Sequence, residues 1–106
     1  MQYMMLIYLD ENSLSESTRN QCYMDSAAYA QQLHAKGKLV AVAPLQATST
    51  ATSVRYNGGQ RLVTDGPFAE TREQLGGFFL IEANNMDEAI EIAGQIPAGR
   101  WGTVEI

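Results

Sequence analysis

The chain opens on Tyr3-Met4-Met5-Leu6-Ile7-Tyr8-Leu9, which is apolar at both sets of alternating positions and stops at Asp10-Glu11-Asn12. A short run apolar on both sides predicts a buried strand. Ser13-Leu14-Ser15-Glu16-Ser17-Thr18 predicts a helix start, with Ser13 and Glu16 spaced as a capping box and Ser15 an equally good N-cap. No Gly or Pro follows until Gly37, and Cys22, Ser26, Tyr29 and Leu33 share one helical face that Ala30 widens. Gly37 is placed to end that helix, with Lys36 and Lys38 favourably set against its dipole. Leu39–Ala43 reads as a second strand, halted by Pro44.

After a loop, Thr52–Tyr56 and Gln60–Thr64 flank Asn57-Gly58-Gly59, which predicts a hairpin because Asn and Gly tolerate the positive φ of tight turns. Asp65-Gly66-Pro67-Phe68 is a turn, followed by polar Ala69–Gln74. Gly76-Gly77 then opens Phe78–Ala83, again apolar on both sides. Asn85 caps a second helix with Glu88 in the reciprocal position, and Met86, Ala89, Ile90, Ala93 and Ile96 form its expected inner stripe up to Pro97. Trp101–Ile106 is a last strand.

Without the hairpin this order is βαββαβ, so the expected class is α+β: a ferredoxin-like antiparallel sheet with an inserted β-hairpin, in one domain over residues 1–106. Two helices cover one sheet face. Met4, Leu6 and Tyr8 oppose Met5, Ile7 and Leu9, and Phe78 and Leu80 oppose Phe79 and Ile81, so the other face is apolar too. Burying it is worth roughly 25 cal/mol per Å², and a homodimer with two sheets face to face is the simplest way to do so.

Charge narrows the partners. Seven basic residues against twelve acidic ones give −5, which disfavours direct nucleic-acid binding or an anionic membrane surface. No apolar run approaches the roughly 20 residues of a membrane helix, and no basic region precedes the first apolar stretch as in a secretory signal. One cysteine, Cys22, and one histidine, His34, exclude an internal disulfide and a multi-Cys/His metal site. The composition fits a cytoplasmic protein. Motif spacing predicts no metal, flavin or nicotinamide site, and hence no cofactor.

The stretch Leu62-Val63-Thr64-Asp65-Gly66-Pro67-Phe68-Ala69-Glu70-Thr71-Arg72-Glu73-Gln74-Leu75-Gly76-Gly77-Phe78-Phe79-Leu80-Ile81 closely resembles the signature of the DGPF group within the YCII-related family. The Met-rich first strand, Leu33–Gly37, Thr50–Arg55 and Pro97–Arg100 fit the same pattern, so the resemblance covers essentially the whole chain. It implies a ferredoxin-like fold that dimerises as an α/β barrel. It further implies a group mostly without an established activity, some members being associated with extracytoplasmic-function sigma factors. The wider family includes proteins with a candidate catalytic histidine early in the first helix. Counting back from Ala43-Pro44-Leu45, that position is Ser26 here, and His34 lies two turns later. The departure removes the histidine on which that chemistry would depend.

Candidate chemistry centres on Asp65, at a strand end before a tight turn, where a carboxylate can serve as a general base or simply accept backbone N–H bonds in an Asx-turn. Phe68 is expected to anchor the loop. Arg72 can grip an anion by paired hydrogen bonds, or form an ion pair with Glu70, Glu73 or a dimer partner. Gly76-Gly77 can admit a ligand to the backbone or relieve crowding at a bulge. His34 is a weaker acid–base candidate, suited equally to the helix C-terminus. Tyr8 and Glu70 are candidate polar contacts for a ligand, and Cys22 is expected to be buried. The reading carried forward is a small-molecule-binding protein or enzyme with its pocket near Asp65-Gly66-Pro67-Phe68. The alternative is a noncatalytic regulatory module associated with a sigma-factor system.

Overall fold

The computed structural model describes residues 1–106. Strand β1 spans Gln2–Leu9, helix α1 Glu16–Ala35 and strand β2 Leu39–Pro44; β3 (Thr52–Asn57) and β4 (Gln60–Asp65) follow, then β5 (Gln74–Glu82), helix α2 (Met86–Gly94) and β6 (Gly102–Glu105). Short 3-10 turns at Thr48–Thr50 and Pro97–Arg100 lead into β3 and β6. The main sheet has the order β2-β5-β1-β6, with β1 and β5 central and antiparallel. This α+β arrangement is consistent with a ferredoxin-like fold. No helix is long and apolar enough to cross a membrane.

Both helices share one continuous core with one side of the sheet. Met5 and Ile7 of β1, Phe79 and Ile81 of β5, Cys22, Tyr29, Ala30 and Leu33 of α1, and Ala89, Ile92 and Ala93 of α2 are all buried in it. The expected α1 face is therefore the one that packs, except that Ser26 is only half-buried. The Tyr29 hydroxyl, inside this core, donates to the Ile92 carbonyl at 3.0 Å, which joins the two helices.

The expected stripe on α2 is partly corrected. Met86 and Ile90 are 47% and 54% exposed, whereas Ala89, Ile92, Ala93 and Ile96 turn inward. Ala89, Ile92, Ala93 and Ile96 form the face that joins the common core, and close packing there sets the phase.

Side chains and a glycine set the helix limits. Ser15, not Ser13, caps α1: its Oγ accepts the Thr18 N–H at 3.1 Å, while the Ser13 hydroxyl donates to the Asp10 carbonyl. Ser15→Ala is expected to cost about 1 kcal/mol, seen as a lower urea midpoint at fixed protein concentration. At the other end Gly37, at φ +71°, lets Lys38 N–H reach the Leu33 carbonyl and Gly37 N–H the His34 carbonyl.

Lys38 then pairs with Glu88 of α2. Asn85 caps α2 by accepting the Glu88 N–H at 2.9 Å, but the Glu88 carboxylate bonds to Asn84 rather than back to Asn85. The Lys38 hydrogen bond, and then the Asn84 backbone, hold Glu88 below its ordinary 4.5. A depressed carboxylate contributes stability that is complete above the unfolded value and lost as pH falls through the folded one. Urea midpoints of Glu88→Gln are thus expected to fall below wild type near neutrality and to converge with it in acid. A constant gap across pH contradicts this.

β3 and β4 form a separate two-stranded sheet in register from Thr52↔Asp65 to Asn57↔Gln60. Gly58 and Gly59 both have positive φ, 59° and 81°, as a tight two-residue turn requires. Every residue from Val54 to Asp65 is exposed, so this hairpin leaves the body as an arm and does not cover the open sheet face. On that face Met4 is 46% exposed, and Leu6, Tyr8, Phe78 and Leu80 are half-buried.

Candidate functional site: a cleft and slot beneath the first helix

The loop after β1 is tied to two other elements. Arg19 Nη2 of α1 donates to the Glu11 carbonyl at 3.1 Å. The Glu11 carboxylate accepts from Thr48 N–H at 3.0 Å and Thr48 Oγ1 at 3.2 Å. These bonds frame a cleft of about 540 Å³ lined by Glu11, Arg19, Tyr23 and Leu45 together with Leu9, Cys22 and Gly76. Leu9, Cys22, Tyr23, Pro44 and Gly76 also line a second cavity of about 210 Å³, so the two are adjacent and share a wall. This second cavity is an apolar slot between α1 and the β2 side of the sheet, reaching Ser26, Ala27, Ala30, Val42, Gly77 and Phe79.

The slot exists because small residues face small residues. On α1 they are Ser26, Ala27 and Ala30; on the sheet they are Gly76 and Gly77. The register slips between Ile7↔Gly77 and Tyr8↔Leu75, which makes Gly76 the extra residue of a bulge. A Cβ on Gly77 would stand 2.9 Å from the Ala43 carbonyl oxygen, so β2 and β5 can pair here only around a glycine. The glycine pair thus relieves crowding and, by the same absence of side chains, exposes backbone to the cavity.

The slot carries little reactive chemistry of its own. Burial pushes the Cys22 thiol up, with a Ser26 hydrogen bond opposing it. A buried thiol held protonated is a poor nucleophile. The charged groups lie in the adjoining cleft, where Arg19 is bonded to the Glu11 carbonyl. No three His, Cys, Asp or Glu side chains converge as metal ligands do.

Gly76 and Gly77, which the sequence offered as a place for a ligand to reach the backbone, line the slot, but the five candidate side chains Tyr8, His34, Asp65, Glu70 and Arg72 lie elsewhere and none of them lines the cleft or the slot. Tyr8 is on the opposite sheet face, where its hydroxyl donates to Glu105 Oε1 at 3.2 Å. Desolvation and then the Glu105 carboxylate raise the phenol above its ordinary 10.0. Asp65 ends β4 opposite Thr52 and is exposed. No Asx-turn forms. Gly66, at φ +100°, donates its N–H to the Ala51 carbonyl at 2.7 Å, and the Ser53 hydroxyl bonds to the Gly66 carbonyl. One backbone bond and one side-chain bond to the segment entering β3 therefore hold the turn.

Phe68 is 79% exposed and anchors nothing within the chain; the Arg55 guanidinium lies 5.6 Å from its ring centre. Arg72 pairs with Asp10 at 3.4 Å instead of Glu70 or Glu73, while Glu73 accepts from Thr103 at 2.8 Å. Glu70 and His34 are exposed. Arg72 alone of the five candidates approaches the cleft, through Asp10 beside Glu11. The residues that frame the cavity and were not read as site residues, Glu11 and Arg19, had only position as a signal: the end of a central strand and the second turn of the following helix.

Two known proteins are similar to this chain. An uncharacterised protein of Rhizobium meliloti (strain 1021) is 40% identical over 96 residues, covering 88% of this chain and 77% of its own length. The solved structure of 5-chloro-2-hydroxyhydroquinone dehydrochlorinase from Burkholderia phenoliruptrix AC1100, in complex with 2,5-dihydroxybenzoquinone, is 20% identical. It matches over 98% of this chain and 92% of its own, at a TM-score of 0.49. The sequence pattern of the YCII-related domain matches residues 1–106 from end to end, and the chain belongs to the YCII-related family.

Proposed function

We propose that this chain is a small-molecule-binding protein or enzyme whose ligand enters the cleft at Glu11 and Arg19 and places an apolar group in the slot beneath α1. The observation that carries this reading is a cleft lined by Glu11 and Arg19 that shares a wall with an apolar slot, a pairing of polar and apolar lining usual in ligand sites. The pocket thus sits at the glycine end of the signature, Gly76-Gly77, and not at the Asp65–Phe68 turn. Arg72 acts on it as a positioning residue, by holding Asp10 at the base of the loop.

In the same reading the chain is one domain, with the hairpin inserted in a ferredoxin-like fold. It is cytoplasmic, where a lone buried thiol stays reduced. It is also a homodimer that buries the open sheet faces against each other as an α/β barrel. Asp65 and His34 as acid–base groups, and Tyr8 and Glu70 as ligand contacts, then need a second chain to bring them to a ligand.

A second reading, a noncatalytic module acting with a sigma-factor system, is favoured by the exposed apolar residues of the arm. A thermal-shift screen of wild type and Asp65→Asn against a metabolite library separates the two. Ligand binding to the folded state stabilises it, by about 2.7 kcal/mol at a hundredfold excess over Kd. The slot reading expects hits retained in Asp65→Asn. Hits lost in that variant would return the site to the turn, and a blank screen would favour the interaction module.

A further inference from the structure

The cleft holds an arginine that the rest of the chain leaves free. Of the seven basic residues, only Arg19 and Lys38 are partly buried; the others are exposed. Lys38 pairs with Glu88. The remaining ion pairs use the Met1 amine, Arg72 and Arg100, so Arg19 has no carboxylate partner. Its hydrogen bond runs from Nη2 to the uncharged Glu11 carbonyl at 3.1 Å. A guanidinium presents several N–H donors in a planar fork, and the rest of them are left for the cleft that Arg19 lines. Burial strips water from such a cation, and no group of the chain replaces it.

The neighbouring negative charge is already engaged. Glu11, the other charged residue of the cleft, accepts Thr48 N–H on one carboxylate oxygen and the Thr48 hydroxyl on the other. One free cation beside one engaged carboxylate favours a ligand of single negative charge, because a dianion would be repelled by Glu11. Bulk is limited by the slot across the shared wall, which holds about 210 Å³ and has no charged lining. An apolar cavity of about 150 Å³ takes a benzene molecule. The slot therefore suits one ring, or a chain of equal bulk, and not a fused ring system.

We propose that the site takes a small monocarboxylic acid: Arg19 grips the carboxylate in the cleft by paired hydrogen bonds, and an apolar body about the size of one ring is seated beyond Leu9, Cys22 and Tyr23, in the slot. This rests on the slot reading above and adds the charge and the size of the ligand.

Isothermal titration and amide chemical-shift mapping near neutral pH test it, with hydrocinnamate, its neutral amide and the cation phenylpropylamine as probes. Hydrocinnamate is expected to bind wild type saturably, to shift the amides of Gly77 and Ala27, and to bind at least about tenfold more tightly than the amide, with the amine weakest. Arg19→Gln is expected to bring hydrocinnamate down to the affinity of the amide and to leave the amide unchanged. Arg19→Lys is expected to keep part of the preference. The comparison of probes on wild type stands even where Arg19→Gln loosens the loop at Glu11. Carboxylate and amide binding alike, with Gly77 and Ala27 shifting, overturns the anion and leaves the slot reading intact. A carboxylate preference that survives Arg19→Gln removes Arg19 as its anchor and overturns the proposal as well. So does hydrocinnamate binding more weakly than about 10 mM, while metabolite hits that shift Gly77 and Ala27 would still keep the slot as the site.

Discussion

Phe79→Ala is expected to remove about 3–5 kcal/mol of folding stability, a large share of the 5–15 kcal/mol that holds a domain of this size. Phe79 is 1% exposed, at the middle of central strand β5. It pairs across the sheet with Met5 and Val42, and its ring meets Tyr29 of α1 at 6.2 Å between centroids in a tilted arrangement. Truncation deletes the contact that joins the sheet to α1 and leaves a void that close-packed neighbours cannot fill. Phe79 also lines the slot, so the new void opens into a cavity that already exists. Urea unfolding at fixed protein concentration should show the midpoint falling with the slope unchanged. A loss below 1 kcal/mol would mean that the slot collapses onto the vacancy, and that α1 is less firmly seated than the packing shows.

Ala27→Phe is expected to have the largest effect on ligand binding, with little effect on the fold. Ala27 is exposed on α1 yet lines the slot from its outer side. A phenyl ring has a helix-compatible rotamer that reaches back over the preceding turn, toward the opening between Cys22 and Tyr23. There it occupies a large part of a 210 Å³ space. Ligand affinity is expected to fall at least about 100-fold, equivalent to about 2.7 kcal/mol, as a ring that must be expelled competes with the ligand. The melting temperature without ligand should stay close to wild type, because no buried group is removed. Isothermal titration with any hit from the metabolite screen reads the affinity directly. Unchanged binding would place the ligand outside the slot.

The strand and helix pattern was legible wherever one residue type left no choice. Two-sided apolar runs at Tyr3–Leu9 and Phe78–Ala83 marked the two central strands, although only one set of their side chains enters the core and the other lies on the open sheet face. Asn57-Gly58-Gly59 marked the hairpin because its two-residue turn needs positive φ. Cys22, Tyr29, Ala30 and Leu33 marked the inner face of α1. The phase of α2 was less legible. Its apolar stripe is wide, and a period of 3.6 fits Met86–Ile90 as well as Ala89–Ile92; close packing decides only when the rest of the core is present.

The candidate site was harder to read. Asp65, Glu70, Arg72 and Glu73 are neighbours in sequence and carry the charge, so they attracted the chemistry. In space Asp65 stands at the base of the arm, Arg72 is drawn to Asp10 and Glu73 to Thr103. The cavity is made from absences instead: no side chain at Gly76 and Gly77, and one methyl each at Ala27 and Ala30. In a sequence, an absence reads as relief of crowding, which is also what it is. Only the pairing of β5 with β2, and the placing of α1 above them, turns the missing volume into a slot.

Amide chemical-shift mapping tests whether the slot beneath α1 is the ligand site. Uniformly 15N-labelled protein would be titrated with each stabilising compound from the metabolite screen. Saturable shifts are expected at Gly76, Gly77, Cys22 and Ala27, absent in Ala27→Phe. Shifts confined to residues 65–70, with the amides of Gly76, Gly77 and α1 unmoved, would contradict it.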